Sequence, residues 1–245
     1  MPDIKIENLC FSYKKRKEVF SVLNNLSIEF ESNKIHVILG KSGSGKTTLL
    51  QCICGLKNYE EGHIYYDDIV MDSVPVKDRK IGYVSQEFAL YPHFSIFKSI
   101  SYPLAINNTP VDEIRKRVYQ ISEEFGIRPI LSRKPRQISI GQAQRAVLAR
   151  ALIKRPTICL LDEPLSNIDY VNRQELRHFI KETMHKYGCT VIYVTHDLTE
   201  ATSIADYIYL LDEGQINIKG TPQEIIKSKD PKIKEFFEGL KDETI

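Results

Sequence analysis

The segment Gly40–Thr48 constrains the fold of this chain more than any other. Its sequence, GKSGSGKTT, follows the apolar run IHVIL and leads into TTLLQCICGL, a run typical of a helix. Strand, glycine-rich loop and helix in this order form the context that a phosphate-binding loop requires. Gly40, Gly43 and Gly45 let the backbone turn tightly and point its N–H groups inward, toward phosphate oxygens. The segment therefore predicts a phosphate-binding loop at the start of a helix.

The two residues after the last glycine of this loop carry the chemistry that a bound nucleotide needs. Lys46 can reach the β- and γ-phosphates, and the hydroxyl of Thr47 is placed to hold Mg²⁺. A helix that begins near Lys46 adds the partial positive charge of its N-terminus. The alternative, a glycine-rich turn without a ligand, leaves this pair unexplained. We therefore predict that the chain binds a nucleoside triphosphate through Gly40, Lys41, Ser42, Gly43, Ser44, Gly45, Lys46, Thr47 and Thr48.

The composition is typical of a soluble globular protein. Of its 245 residues, 42% are hydrophobic and 27% are charged, and the net charge of +2 gives no general attraction to nucleic acid or anionic membranes. No charge-free apolar stretch approaches the ~18 residues that span a bilayer, and the N-terminus lacks the layout of a signal peptide. The five cysteines show no paired C-x-x-C spacing. We expect a cytoplasmic chain with reduced thiols and without zinc or disulfides.

Near-continuous apolar runs alternate with helical patterns along much of the chain. Such runs predict parallel strands that are buried on both faces, and the alternation predicts an α/β fold. The predicted strands are Ile35–Leu39, Thr157–Leu161, Thr190–Thr195 and Tyr207–Leu211, and the predicted helices between them include Asn172–Tyr187 and Leu198–Ala205.

Two regions depart from this alternation. The opening segments IKIENLCFSY and VLNNLSIEF read as short strands of alternating polarity, and GHIYYDDIV and KIGYVS in residues 60–85 resemble them. Residues from about 87 to 154 are dominated instead by helical patterning, which predicts a helical insertion into the sheet domain. In VDEIRKRVYQISEEFG the apolar residues that share one helix face are Val111, Ile114, Val118, Ile121 and Phe125.

A second candidate site element is the segment TICLLDEP, in which an apolar strand runs into two adjacent acids. The carboxylate of Asp162 can hold Mg²⁺ opposite Thr47, as in P-loop NTPases generally. Glu163 is the candidate general base that orients and deprotonates the attacking water. Adjacent acids at a buried strand end are costly unless a cation lies nearby. The alternative is a strand followed by an ordinary acidic turn.

Two further polar residues follow predicted strands. His196 comes directly after the run that ends at Thr195, and the carboxyl edge of an α/β sheet is where ligands gather. We interpret His196 as a hydrogen-bonding sensor of the γ-phosphate, with a purely structural histidine as the alternative. Gln86 ends the segment IGYVSQ and is a candidate to contact both the metal and the water, although a glutamine alone is weak evidence.

In chain order these motifs resemble those of the ATP-binding cassette (ABC) ATPases that energise membrane transporters. GKSGSGKTT resembles their Walker A loop and TICLLDEP their Walker B strand. Gln86 matches the glutamine loop, Ser166–Asp169 (SNID) matches the D-loop, and His196 matches the switch histidine. Tyr13 matches the aromatic residue that stacks on adenine. The segment ISIGQAQRAVLARAL, residues 138–152, resembles the signature helix that separates cassettes from all other P-loop proteins.

The resemblance covers essentially the whole chain and implies both a fold and cofactors. The implied fold is that of a P-loop NTPase (RecA-like), with a parallel sheet core, an N-terminal antiparallel β subdomain and a helical subdomain at about residues 87–154. The implied activity is ATP hydrolysis with ATP and Mg²⁺, coupled to transport. We expect one nucleotide-binding domain over residues 1–245, without a C-terminal regulatory domain.

The family also implies a dimer. Two cassettes face each other head to tail, and each presents the N-terminus of its signature helix to the γ-phosphate held by the other. In this chain Ser139, Gly141 and Gln142 would make that contact, with the hydroxyl and the backbone N–H groups as donors. A second copy of this chain or a different cassette can take the partner's place, and we expect the homodimer. Two bound ATP molecules would then form part of the interface, and hydrolysis would release it.

One residue departs from the family pattern. Where the family has two glycines after the signature serine, this chain has Ile140 and Gly141. If the first position needs a positive φ angle, a β-branched residue there is strained by roughly 1–3 kcal/mol. If the position has ordinary helical geometry, Ile140 costs little and adds bulk near the phosphate. The sequence leaves both alternatives open.

The segment EFALYPHFSIFKSISYPL, which follows Gln86, resembles the corresponding stretch of cassettes from binding-protein-dependent importers. In those systems it receives a short helix of the membrane-embedded permease. The resemblance implies permease subunits, a substrate-binding protein and a location at the inner face of the cell membrane. The transported substrate is chosen by the other subunits. The alternative is packing within the helical insertion. The residues predicted to form a docking cleft are Leu90, Tyr91, Phe94, Ile96 and Phe97.

Other functions remain as alternatives to an importer subunit. A cassette of an exporter or of a lipid-trafficking system shares all of the ATP chemistry. A mechanical cassette that works on DNA ends or ribosomes fits less well, because the chain has no long coiled-coil insertion and little net charge for a nucleic acid partner. A small-molecule P-loop kinase would leave the signature helix, Glu163 and His196 unexplained.

Overall fold

The structure is a computed structural model that describes residues 1–15, 18–86, 90–166 and 168–234. The chain divides into two compact units. The first unit consists of residues 1–79 together with the described residues from Thr190 onward, and the second unit consists of Lys80–Cys189. The helical subdomain expected at about residues 87–154 lies within the second unit, and its limits remain a prediction.

The first unit contains the predicted antiparallel sheet, whose strand order is β2–β1–β4–β5. Burial along β2 alternates over much of its length because one face covers the core and the other faces solvent. The bounds are β1 Ile4–Lys15, β2 Glu18–Phe30, β4 Glu61–Tyr66 and β5 Ile69–Val70. The N-terminal antiparallel β subdomain is therefore confirmed.

The same unit contains parallel strands that are buried along their whole length. Strand β3 (Ile35–Leu39) pairs in parallel with β8 (Thr190–Thr195) and with β9 (Tyr207–Asp212), and every residue of β3 and β8 is buried. Strand β10 (Gln215–Gly220) pairs antiparallel with β9. The bounds of β3 and β8 agree with the sequence prediction because strands buried on both faces leave unbroken apolar runs. The helices of this unit include α1 Lys46–Ile53, α6 Leu198–Ile204 and α7 Pro222–Lys227.

The second unit combines two paired strands with long helices. Strand β6 (Ile81–Val84) pairs in parallel with β7 (Ile158–Asp162). The grouping of KIGYVS with the alternating strands was therefore wrong: β6 is a parallel strand, and it is too short for its pattern to reveal the pairing. The helices are α2 Ile96–Ala105, α3 Val111–Glu124, α4 Ile140–Leu152 and α5 Tyr170–Tyr187. No described helix is both long enough and apolar enough to cross a lipid bilayer.

The apolar face predicted for α3 is largely correct. Ile114, Val118, Ile121 and Phe125 are buried, whereas the side chain of Val111 is 63% exposed. Val111 is the first residue of α3, so it lies at the helix end, beyond the stretch that packs against the rest of the unit. Periodicity gives the direction of a helix face but not the point at which the packed stretch begins.

A buried histidine lies in the core of the first unit. The imidazole of His36 stacks on Tyr207 at a ring separation of 5.8 Å and meets the ring of Phe30 edge-on at 5.2 Å. Its Nε2 lies 2.8 Å from the carbonyl oxygen of Glu31, and its Nδ1 lies 3.1 Å from the hydroxyl of Tyr209. Burial lowers the pKa of His36 below its usual value, and the contact with the Glu31 carbonyl opposes this shift only in part.

This lowered pKa predicts a loss of stability in mild acid. The unfolded chain takes up the proton at a pKa near ~6.5, above the folded-state pKa, so the free energy of unfolding should fall as the pH drops from there through the folded-state value. We expect His36→Gln to flatten the pH dependence of that free energy, measured by urea unfolding between about pH 5 and pH 7. Equal pH dependence in the two proteins would contradict a role for His36.

Candidate functional site

The predicted phosphate-binding loop lies between β3 and α1 in the first unit. A Cβ atom at Gly40 would lie 2.6 Å from the backbone oxygen of Leu211, so this position has no room for a side chain. Gly43 has a φ angle of 83° and Gly45, which precedes the first residue of α1, has a φ angle of 103°. Both angles lie in the left-handed region that glycine adopts without strain. The local geometry therefore favours glycine at each of the three positions, and together the glycines give the loop its tight turn.

The interior of the loop is polar and is organised by the predicted lysine. The Lys46 side chain is 5% exposed, and its Nζ donates hydrogen bonds to the carbonyl oxygens of Gly40 at 2.8 Å and Lys41 at 2.9 Å. Ser44 Oγ is buried and has no hydrogen-bond partner among the described residues. A buried hydroxyl without a partner costs free energy. Ser99 and Gln144 in the second unit share this property, but Ser44 lies in a glycine-rich loop beside a buried ammonium, and this setting favours an anionic ligand. The exposed loop residues include Lys41, Ser42 and Thr47.

The residue predicted to stack on adenine lies beside α1. The hydroxyl of Tyr13 lies 3.2 Å from Thr48 Oγ1, which joins the end of β1 to the first turn of the helix. Phe11 meets the Tyr13 ring edge-on at 5.0 Å, and Lys57 Nζ lies 4.6 Å from the ring centroid. The ring is held by these contacts while the residue remains 42% exposed. The structure thus brings Tyr13 and the phosphate-binding loop together in one unit.

The predicted sensor histidine also lies next to this loop. Strands β3 and β8 pair so that Leu39 is opposite Thr195, and the N–H of Gly40 donates to the carbonyl oxygen of Thr195 at 3.3 Å. His196, the residue after Thr195, is therefore placed beside the start of the loop, and it is half-buried.

The predicted acids lie in the second unit, at the end of β7. Asp162 is buried, and its Oδ2 accepts a hydrogen bond of 3.0 Å from the hydroxyl of Tyr83 on β6. Glu163 has a φ angle of 44°, and its carbonyl oxygen accepts from the N–H and the hydroxyl of Ser166, at 3.2 and 3.0 Å. A left-handed backbone at a non-glycine residue is strained, and such strain concentrates at functional sites. The sequence analysis did not identify Tyr83 as a partner of Asp162. The alternating pattern of IGYV was the signal that could have drawn attention to it.

Two further predicted motifs lie partly outside the described residues. Gln86 is exposed and lies two residues beyond the end of β6, and the residues that follow it, 87–89, are outside the description. Of the predicted D-loop, Asn167 is also outside it. Asp169 caps α5, since its Oδ1 accepts from the N–H of Asn172 at 3.1 Å. The roles of Gln86 and of the D-loop therefore remain predictions.

The start of the predicted signature helix is fixed by reciprocal hydrogen bonds. Ser139 is the N-cap of α4: its Oγ accepts from the N–H of Gln142 at 3.2 Å, and Gln142 Oε1 accepts from the N–H of Ser139 at 3.1 Å. Ile140 is the first residue of α4 and its side chain is 55% exposed. Of the two alternatives left open by the sequence, the structure selects ordinary helical geometry, so Ile140 is not strained.

The five residues predicted to form a docking cleft divide between core and surface. Leu90 and Ile96 are buried, as expected for packing within the second unit. Tyr91 and Phe94 form an aromatic cluster with Tyr102, with ring centroids 5.0 to 5.9 Å apart, and Tyr91 and Tyr102 are exposed. Surface aromatic residues in contact with one another are typical of a partner-binding patch. Phe97 is half-buried, and its ring centroid lies 6.0 Å from that of Tyr119. The cluster of Tyr91, Phe94 and Tyr102 is therefore the candidate docking surface.

The chain is similar to ATP-binding subunits of several importers. It is 40% identical over 211 residues to the trehalose/maltose import ATP-binding protein of Thermococcus litoralis, covering 84% of this chain and 57% of the relative. It is 40% identical over 230 residues to the glucose import ATP-binding protein of Saccharolobus solfataricus, covering 92% and 65%. It is 39% identical over 225 residues to the sn-glycerol-3-phosphate import ATP-binding protein of Ruegeria pomeroyi, covering 92% and 63%. The chain thus spans about three fifths of the length of these relatives.

Solved structures and a family model agree with these similarities. A dimeric ATP-binding cassette in a post-hydrolysis state, bound to ADP and phosphate, matches with a TM-score of 0.80 and 30% identity, over 89% of this chain and 98% of the cassette. The fold is therefore that of an ABC cassette, as predicted. The ABC transporter family model matches residues 23–166, more than half of the chain and both the Walker A and the Walker B segments. The chain belongs to the ABC transporter family.

Proposed function

We propose that this chain is the ATP-binding and ATP-hydrolysing subunit of an ABC importer. The observation that carries the proposal is the interior of the phosphate-binding loop, where a buried ammonium is held by two carbonyl oxygens and the buried hydroxyl of Ser44 has no partner among the described residues. Similarity to import ATP-binding proteins supports import, rather than export, as the direction of transport.

ATP binding would use the first unit. Lys46 would exchange its bonds to the carbonyls of Gly40 and Lys41 for phosphate oxygens, and the N–H groups at the start of α1 would face the same anion. Tyr13, held beside α1, would stack on the adenine. Thr47 and Asp162 offer the oxygen ligands that Mg²⁺ prefers. When bound, Mg²⁺ would neutralise charge that develops on the phosphates.

Hydrolysis would use Glu163 as the general base that takes a proton from the attacking water. The left-handed backbone at Glu163 and the two hydrogen bonds from Ser166 to its carbonyl fix the direction in which this side chain leaves the strand. His196 would donate a hydrogen bond to the γ-phosphate, and Gln86 would contact the metal and the water. These roles follow the family's motifs at the matching positions.

A second cassette would complete the site through its signature helix, and we expect that cassette to be a second copy of this chain. The capping box leaves the Ser139 hydroxyl hydrogen able to donate outward, because Oγ acts there as an acceptor. Among the described residues, a Cβ atom at Gly141 would meet only Leu176 Cδ1, at an ordinary 3.9 Å, so packing against them does not require glycine there. Glycine inside a helix costs about 1 kcal/mol relative to alanine. The close approach of the γ-phosphate held by the partner cassette would account for glycine at position 141.

The membrane partners would be permease subunits that dock on the aromatic cluster of Tyr91, Phe94 and Tyr102. A short amphipathic helix suits such a surface, because apolar side chains can pack on the rings while their polar edges keep contact with water. In an importer a substrate-binding protein delivers the solute to the permease, so those subunits determine what is transported. The chain would then act at the inner face of the cell membrane, as a peripheral subunit without nucleic acid partners.

Ser44→Ala tests the phosphate-binding loop. The hydroxyl has no partner to lose among the residues that the structure describes, so the melting temperature should stay unchanged or rise. ATP affinity, measured by calorimetry, should fall roughly tenfold because a hydrogen bond to a charged phosphate is lost. The same change at Ser122, whose buried hydroxyl bonds to the Tyr119 carbonyl in α3, is the matched control and should leave ATP affinity unchanged. Unchanged affinity in Ser44→Ala would count against the proposed phosphate contact.

Glu163→Gln tests the base and the dimer together. The substitution should keep ATP binding while blocking hydrolysis, so the protein should accumulate as a nucleotide-trapped dimer in the presence of Mg²⁺ and ATP. Light scattering with and without nucleotide measures the change in mass. The control is the double variant Glu163→Gln/Lys46→Ala, which should remain monomeric because its loop no longer holds phosphate. A variant that binds ATP and stays monomeric would contradict self-pairing.

Ile140→Gly tests the departure from the signature pattern. Because Ile140 is exposed at the first position of α4, its replacement should change the free energy of unfolding by about 1 kcal/mol or less. ATP turnover should stay the same or rise, since the loss of bulk improves access to the helix N-terminus. Thermal melting and a phosphate-release assay measure the two effects. A large fall in turnover would mean that Ile140 contributes to the active dimer.

A further inference from the structure

A closed ring of hydrogen bonds surrounds the backbone at His196. Thr195 Oγ1 donates to Glu200 Oε2 at 2.8 Å, the N–H of Glu200 donates to Asp197 Oδ1 at 3.0 Å, and the N–H of Asp197 donates back to Thr195 Oγ1 at 3.0 Å. We refer to these three residues as the Thr195–Asp197–Glu200 ring. It joins the last residue of β8 to the first turn of α6, and His196 is the residue enclosed between two of its members.

The ring is buried and includes a carboxylate. Glu200 is 2% exposed and Thr195 is 2% exposed, and the hydroxyl of the buried Tyr193 donates a further bond of 2.9 Å to Glu200 Oε2. A carboxylate removed from water is tolerated only when hydrogen bonds satisfy it. Rearranging the turn would break bonds to this buried oxygen, so the ring holds the turn in one conformation.

The same turn is attached to the phosphate-binding loop. The carbonyl oxygen of Thr195 accepts from the N–H of Gly40, while its side chain belongs to the ring. Thr195 therefore fixes the backbone at His196 from one side and the first residue of the loop from the other. The imidazole position relative to the loop depends on this residue.

We propose that Thr195 and Glu200 are positioning residues that hold His196 against the phosphate-binding loop. The inference rests on the proposed role of His196 as the hydrogen-bond donor to the γ-phosphate. Without the ring, the turn gains alternative conformations and the imidazole occupies its productive place for a smaller fraction of the time. The rate of hydrolysis then falls, whereas ATP affinity, which depends on the loop and on α1, is preserved.

An ordinary helix cap does not account for the whole ring. Asp197 caps α6 through its bond from the N–H of Glu200, and this cap needs nothing from Thr195. The hydroxyl of Thr195 adds two bonds that lie outside the cap, one accepted from Asp197 and one donated to Glu200. Thr195 therefore offers a way to break the ring while leaving the cap of α6 in place.

The test uses Thr195→Val, which keeps the shape and removes the hydroxyl, and Thr195→Ser, which keeps the hydroxyl. The matched control is Thr202→Val in α6, where the lost hydroxyl bonds only within the helix, to the carbonyls of Leu198 and Thr199. In the protein without nucleotide, hydrogen exchange of the Asp197 amide should accelerate in Thr195→Val and remain slow in the other two. Thermal melting checks that each variant is folded.

In the ATPase assay, Thr195→Val should lower kcat about tenfold while ATP affinity stays within about twofold, and Thr195→Ser and Thr202→Val should behave as the unaltered chain. In a His196→Ala background, Thr195→Val should have no further effect, since the residue it positions is gone.

Two outcomes separate this inference from the proposed function. If His196→Ala loses turnover but Thr195→Val does not, although its Asp197 amide exchanges rapidly, the positioning role is wrong and the ATPase assignment stands. If His196→Ala keeps full turnover, the proposed role of His196 is wrong, and the positioning role is overturned with it. The positioning role would also be overturned if adding Thr195→Val to His196→Ala lowered turnover by the full factor seen for Thr195→Val alone. The two residues would then act independently.

Discussion

The parallel pairing of β3 with β8 is the constraint on which the first unit's site depends. The register sets Leu39 opposite Thr195, so the residue after each strand emerges at the same edge of the sheet. One of these residues is Gly40, which begins the phosphate-binding loop, and the other is His196. The bond from the Gly40 N–H to the Thr195 carbonyl extends the ladder by one step into the loop. A shift in this register would separate the two groups.

The phosphate-binding loop is organised around the buried ammonium group of Lys46. The Lys46 Nζ donates to two backbone carbonyls of the loop. A phosphate would offer the same ammonium a stronger, charge-assisted bond. The exchange needs little backbone movement, because Gly43 and Gly45 already hold the left-handed angles of the turn. A loop that is organised in this way before phosphate binds would lose less entropy on binding.

The sequence was most informative where chemistry and burial act over short stretches. The bounds of β3 and β8 follow from unbroken apolar runs, and the loop between β3 and α1 follows from its glycines and lysine. Contacts between distant positions could not be predicted, since no local pattern joins Tyr83 to Asp162 across 79 positions. The left-handed backbone at Glu163 could not be predicted either, because glutamate does not favour this conformation. The parallel pairing of β6 was missed for a related reason, because a four-residue strand carries too short a pattern.

Three predicted site residues have features that are unfavourable for folding alone. Ser44 buries a hydroxyl that has no partner among the described residues, Glu163 takes a strained backbone angle, and Gly141 places a flexible residue inside a helix. Each costs on the order of 1 kcal/mol in an isolated domain. Phosphate oxygens near Ser44 and Gly141, and a reacting water near Glu163, would turn each cost into a contact.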